Sequence, residues 1–342
     1  MKVPTLLAAS VLMLAGCSIG SAGPYHPSGA RATTPGVAIS GAGRASCRVP
    51  FVSSDSTGVT AYWMAQDGTV SEDPTGRFGR RSDNFYQSAT TPVLVGPNPL
   101  YYDSALHRWL PAGRESVSPD GSQYAYVKPF TTTVQVVTVA TGQESSYLVP
   151  RGPWHILDFT AEGLYLNQEW EGVGAGLWKL DLRTTQLRKV LSDSTVTFVT
   201  DETAWVWDVD PSAPASFSAF AGANMPNRIS RLDLRSGVLT NWVTTADAVP
   251  NVIGFDLNGR PFIVANGQQE SAVELVPAPN QVVNVTTYRV GPGGPVFQPH
   301  TAIADESGEW LGGPDGLYRY DASGFHRVAA TGKATDPANR CV

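Results

Sequence analysis

The chain has 342 residues, 42% of them hydrophobic and only 16% charged, with 34 glycines and 26 prolines. That supplies a core for one large or two ordinary domains, and it suits many short strands and turns better than long solvated helices. A formal net charge of −6 and the lack of a dense Lys/Arg run argue against nucleic acid or an anionic membrane surface as the main partner.

The first seventeen residues, MKVPTLLAASVLMLAGC, read as a short n-region with Lys2, an apolar run, and small residues up to Cys17, which is the pattern of an export signal. The run is shorter than the roughly 20 apolar residues a spanning helix needs. Its ending LAGC (Leu14, Ala15, Gly16, Cys17) resembles the lipobox of bacterial lipoproteins. The resemblance implies a signal peptide over residues 1–16, cleavage before Cys17, and lipid such as palmitate on that cysteine. The chain would then be anchored at the extracytoplasmic face of the cell membrane. The alternative is an ordinary secretory signal with an incidental cysteine. Residues 17–46 turn to Gly, Ser, Ala, Pro and Thr and read as a flexible tether, so the folded domain is expected over 47–342.

Within that domain one turn motif recurs after an apolar strand: VATGQ at Gly142, DLRTTQ at Thr185, DLRSGV at Gly237, VPAPNQ at Asn280 and YDASGF at Gly324. Ahead of each lies a second turn, at Gly121, Gly163, Thr203, Gly259 and Gly308. Four antiparallel strands per forty-odd residues are the signature of a propeller blade. The expected fold is therefore all-β: a single propeller of six four-stranded blades, at roughly 48–112, 113–150, 151–191, 192–245, 246–290 and 291–330. The first repeat is irregular, with an Arg-bearing insertion (Arg77, Arg80, Arg81), and leaves seven open. SPDGSQYAYV (118–127) is similar to the repeat of TolB-like propellers, and GLYRYDASG (316–324) looks like the outer hairpin of several bacterial propeller families. That resemblance implies a fold superfamily and no particular activity.

With Cys17 given to lipid, Cys47 and Cys341 remain as an even pair in an oxidising compartment, most simply a disulfide. Such a bond would close the ring between its last and first blades.

No HExxH, CxxC, Gly-x-Ser-x-Gly, P-loop or Rossmann fingerprint occurs. Asp208 and Asp210 in WDVDP are placed to offer calcium ligands but read better as a solvated turn, so no metal and no cofactor is expected. The register leads further. Stepping back eight residues from each inner turn returns Pro50, Gly113, His155, Thr195, Asn251 and His300, the expected starts of the innermost strands. His155, Asn251 and His300, with Trp154 and Trp170, are the candidate binding residues, on the face that also receives the longest insertions. The opposite face, with its tight turns, is expected to leave little room for a concave site. Two readings follow: a membrane-tethered binding module for an envelope protein or glycan, or an extracytoplasmic hydrolase or lyase. In the second, His155 or His300 would act as acid/base beside Asp158 or Glu169.

Overall fold

Short apolar runs punctuated by residues that tolerate positive φ fold the chain into successive up-and-down hairpins. The computed structural model describes residues 47–55, 58–79, 100–127, 132–152, 154–168, 176–192, 194–200, 202–210, 226–291, 294–295, 299 and 301–342. The expected signal peptide, Cys17 and the tether lie outside them, as do Arg80, Arg81, Glu169, Trp170 and His300.

Strands β1 (Val49–Asp55), β2 (Gly58–Met64) and β3 (Val70–Gly79) form an antiparallel meander. The hairpin β4 (Tyr101–Asp103) and β5 (Arg108–Leu110) follows, then a 3-10 turn at Arg114–Ser116. Next comes the sheet of β6 (Gln123–Val127), β7 (Thr133–Thr138) and β8 (Glu144–Leu148), to which Val117 adds one bridge with Tyr124. Two four-stranded meanders come after it. The first holds β9 (Trp154–Thr160), β10 (Gly163–Gln168), β11 (Gly176–Asp181) and β12 (Leu187–Ser192), and the second β13 (Thr195–Thr200), β14 (Thr203–Asp208), β15 (Arg228–Asp233) and β16 (Leu239–Thr244). The third is β17 (Ala248–Phe255), β18 (Pro261–Gly267), β19 (Glu270–Ala278) and β20 (Gln281–Gly291), with the short β21 (Gly294–Pro295) on its outer edge. The fourth is β22 (Ala302–Asp305), β23 (Gly308–Gly312), β24 (Gly316–Asp321) and β25 (Gly324–Ala330), and the chain ends with β26 (Thr335–Pro337). Among the described residues no helix is long and apolar enough to cross a membrane.

The repeat read from the turns is the repeat of the fold. All five outer turn residues have positive φ: Gly142 (68°), Thr185 (58°), Gly237 (73°), Asn280 (57°) and Gly324 (103°). Only Gly and, less readily, small polar residues adopt that conformation without strain. The first strands of neighbouring meanders lie side by side. β17 and β22 pair directly in parallel at Gly254–Ala302 and Phe255–Ile303, an approach so close that a Cβ on Gly254 would sit 2.0 Å from the Ala302 carbonyl oxygen.

Hydrophobic clusters fill the space between each sheet and the next all the way round. They pass from β6–β7 to β9–β11, on to β13–β14, β17–β19, β22–β24 and β1–β2, then to the hairpin, and back to Val117 and Tyr124. A closed succession of meanders sealed by cores between them is a β-propeller. One expectation changes here. The hairpin β4–β5, assigned above to the first blade, has its own core on each side: Leu100, Tyr102 and Trp109 against the first sheet, and Leu110 and Ala112 against Val117.

A second correction concerns β1, expected to be innermost. The C-terminal β26 pairs along its free edge (Phe51–Pro337, Val52–Asp336, Ser53–Thr335), so the first sheet runs β26, β1, β2, β3. Thr335, Asp336 and Pro337 carry no apolar alternation, so no pattern marked them as a strand. Beyond this ladder, Arg48 and Val342 exchange backbone hydrogen bonds of 2.9 and 3.0 Å. Cys47 and Cys341 stand beside that pair with Cα atoms 5.6 Å apart.

Candidate functional site

The first strands of three consecutive meanders each contain a β-bulge at the same place. Register slips at Leu157 in β9, Thr197 in β13 and Ile253 in β17, each two residues past the positions His155, Thr195 and Asn251. A bulge re-aims the side chains beyond it, and beyond it an axial cavity of about 1040 Å³ opens. Its wall is built from the ends of these strands (Leu157 to Thr160, Phe198 to Thr200, Ile253 to Phe255) and from Ala302 to Ala304 of β22. Tyr101, the 3-10 turn residues Arg114 and Glu115, and the C-terminal Asn339 and Arg340 complete the circle. The rim carries the inner turns, with Glu162, Glu202 and Leu257.

The cavity therefore lies at the tight-turn end of the strands, where a concave site was not expected. Short turns fold back within their own sheets and leave the axis unroofed. Of the candidate binding residues, His155 and Asn251 are half-buried and pair within their sheets opposite Asn167 and Val264, outside the cavity wall. Trp154 is 3% exposed; its indole donates to the Pro150 carbonyl at 2.7 Å and packs edge-on against Trp178. It is core, and offers no apolar area to a ligand. His300 and Trp170 lie outside the described residues. Asp158, named only as a carboxylate partner, does line the cavity.

The cavity holds charges of both signs, and several are held in ion pairs. Lys179 binds Glu162, Arg235 binds Glu202 at 2.6 Å, and Arg260 binds Asp256 at 2.5 Å. Beside Asp256, the Glu309 carboxyl is pushed up to about 8, by burial first and then by the charges of Asp256 and Asp305. Burial likewise pushes the Glu115 carboxyl up to about 7, with Asp158 adding to the rise and Arg114 opposing it. Glu115 is thus partly protonated near neutral pH, with Asp158 beside it in the same cavity. Among the described residues no three His, Cys, Asp or Glu side chains converge to hold a metal ion. In the WDVDP turn, the Asp208 carboxylate is taken by the Arg228 guanidinium.

Sequence reasoning missed Tyr101, Arg114, Glu115, Asn339 and Arg340. Tyr101 opens β4 inside the irregular first repeat, Arg114 and Glu115 directly follow the register position Gly113, and Asn339 and Arg340 lie past the last repeat; the eight-residue step returned none of them.

No protein-family model matches the chain, and no curated protein matches its sequence. Among solved structures, TolB from Acinetobacter baumannii is 13% identical over 86% of this chain and 67% of its own, with a TM-score of 0.49. A putative 6-phosphogluconolactonase from Bacteroides fragilis is 11% identical over 86% and 98%, with a TM-score of 0.46. Virginiamycin B lyase from Staphylococcus aureus is 14% identical over 83% and 85%, with a TM-score of 0.43. Nothing of these proteins' activities transfers at such identities; the propeller stands on the sheet order and the cores between sheets.

Proposed function

We propose that the chain is a membrane-tethered extracytoplasmic lipoprotein whose propeller is a binding module for an envelope protein or glycan, with the axial cavity as its recognition site. The observation that carries this reading is the cavity itself, a concave site to which the hairpin β4–β5 and the meanders from β9 onward contribute polar and apolar side chains. We read the ring as six blades with β4–β5 as a reduced seventh element, and Cys47 and Cys341 as joined by a disulfide. The lipobox-like LAGC and the Gly/Ser/Pro-rich stretch after it support the anchor and the tether. The second reading, a hydrolase or lyase, draws on Glu115 and Asp158, two carboxyl groups in one cavity of which Glu115, held up by burial, suits a general acid.

Mature protein isolated from its native envelope is expected to begin at Cys17 with acyl chains attached, each buried CH₂ contributing about 0.8 kcal/mol to membrane binding. Intact-mass analysis finding an unmodified Cys17 would refute the anchor. For recognition, the detergent-solubilised full chain is expected to copurify with an envelope component. Leu257→Trp, which adds bulk at a 57% exposed rim position, should weaken that association at least about tenfold, roughly 1.4 kcal/mol. Retained binding in Leu257→Trp together with loss in His155→Ala would move the site to the opposite end of the axis.

A further inference from the structure

Once the ion pairs of the cavity are counted, three guanidinium groups on its wall, Arg114, Arg188 and Arg340, have no carboxylate salt bridge among the described residues. Two of them flank one side chain. The Arg114 guanidinium lies 5.5 Å from the centre of the Tyr101 ring and is steadied by a hydrogen bond to the Val117 carbonyl at 3.3 Å. Arg340 follows Asn339, whose buried amide donates to the Tyr101 hydroxyl at 3.2 Å and to the Tyr102 carbonyl at 2.7 Å. The Asn339 side-chain oxygen in turn accepts from the Arg340 backbone N–H at 2.8 Å. Burial raises the Tyr101 hydroxyl and the charge of Asp103 adds to the rise, while Arg114, the Asn339 hydrogen bond and Arg340 pull the other way.

We propose that Tyr101, Arg114 and Arg340 form an anion subsite, which takes a carboxylate or a tetrahedral oxyanion group of a small ligand bound in the axial cavity. This rests on the cavity being the recognition site, as proposed above. The chemistry is that of fixed donors facing an acceptor. Guanidinium groups present planar forks of N–H donors suited to carboxylate and phosphate oxygens, and the Tyr101 hydroxyl, which already accepts from Asn339, keeps its own proton to donate. The Asn339 amide ties the Tyr101 hydroxyl to the Tyr102 carbonyl, so the hydroxyl is held in place between Arg114 and the chain bearing Arg340. The cavity volume accommodates a small ligand around that contact.

The subsite has a built-in pH dependence. Glu115 is adjacent to Arg114 on the 3-10 turn and faces Asp158 of β9; these are the charged groups that act on it. Its proton adds one unit of positive charge beside the subsite as pH falls below about 7. Anion affinity should therefore rise from pH 8 to pH 6, and Glu115→Gln should flatten that rise.

The test is calorimetric titration of the detergent-solubilised full chain with two probes that hold their charge near neutrality, succinate for the carboxylate and sulfate for the tetrahedral oxyanion. Saturable binding of one or both is expected. It should weaken at least tenfold in Arg114→Gln/Arg340→Gln and stay within twofold in Arg327→Gln, a cation outside the cavity wall paired with Asp315. The probe that binds more tightly names the group. Both arginines are exposed, and unchanged melting of the double variant would confirm that folding is intact. Failure of both probes to bind, or equal loss in Arg327→Gln, would overturn the subsite. Running the envelope copurification on the double variant separates the two claims. A partner captured by the parent and equally by the double variant leaves the binding module standing and removes the anion subsite.

Discussion

An Asp73→Ala variant is expected to lose about 2 to 5 kcal/mol of folding stability in urea unfolding at pH 7, the cost of leaving two buried donors unpaired. Asp73 lies where β3 bulges: Ala61 of β2 pairs with Asp73 and Thr60 already pairs with Arg77, so Pro74, Thr75 and Gly76 loop out between them. The backbone of Gly76 comes so close to the core that a Cβ there would stand 2.2 Å from Ala61 and 2.9 Å from Trp109. This aims the Asp73 carboxylate inward. One oxygen accepts the indole N–H groups of Trp63 at 2.8 Å and Trp109 at 2.9 Å, and the other accepts from the Thr75 backbone and hydroxyl at 3.0 and 2.7 Å. Trp63 and Trp109 are only 7% and 4% exposed and pack with Tyr102, so neither indole finds water once the carboxylate is gone. Asp73 thus clamps the hairpin β4–β5 to the first sheet.

The same clamp sets an acid limit. Burial works to raise the Asp73 carboxyl, but the hydrogen bonds from Thr75, Trp109 and Trp63 outweigh it and hold it at about 2, below its ordinary 3.8. A depressed folded value means that the contribution is fully present above pH 3.8 and is lost as pH falls through about 2. The parent should therefore lose stability between pH 4 and pH 2 more steeply than Asp73→Asn. An Asp73→Ala variant within about 0.5 kcal/mol of the parent, the range of ordinary surface substitutions, would show that the indoles do not depend on this carboxylate.

Asp73 also marks how far the sequence carries. The turns were legible because a positive φ restricts residue choice, and Gly142, Thr185, Gly237, Asn280 and Gly324 announce themselves in any register. The bulge at Asp73 was not, because DPTG reads as a loop and the strand resumes beyond it with Arg77. The three axial bulges misled in the same way. Strict alternation carries a side chain's direction along a strand, but one extra residue at Leu157, Thr197 or Ile253 resets it. His155 was thus found within one residue of the start of β9, whereas Asn251 stands fourth in β17; in both strands the cavity begins two residues later and extends to the other end of the axis. Arg340 lay past the last repeat and Arg114 one residue past the register position Gly113, so neither was returned, and the two come together only once the ring has closed.

Ring closure carries the second large expectation. Non-reducing peptide mapping of the exported protein should recover Cys47 linked to Cys341, and reduction should lower the melting temperature by about 5 to 10 °C. The cysteines are 294 residues apart in sequence with Cα atoms 5.6 Å apart, inside the range a disulfide spans. In the chain-entropy model, closing so long a loop removes enough freedom from the unfolded chain to stabilise the fold by at most about 5 kcal/mol. The reduced protein should nonetheless stay folded at 25 °C, because closure does not rest on sulfur alone. The ladder from Thr335 to Pro337 on β1, the Arg48–Val342 backbone pair and the hydrogen bond from the Asn339 amide to the Tyr102 carbonyl all remain. Cys341→Ser should therefore match the reduced parent in melting temperature and be insensitive to dithiothreitol. Two titratable thiols in the exported protein, or a parent whose melting is unmoved by reductant, would show that the hydrogen-bonded strand closes the ring without covalent help.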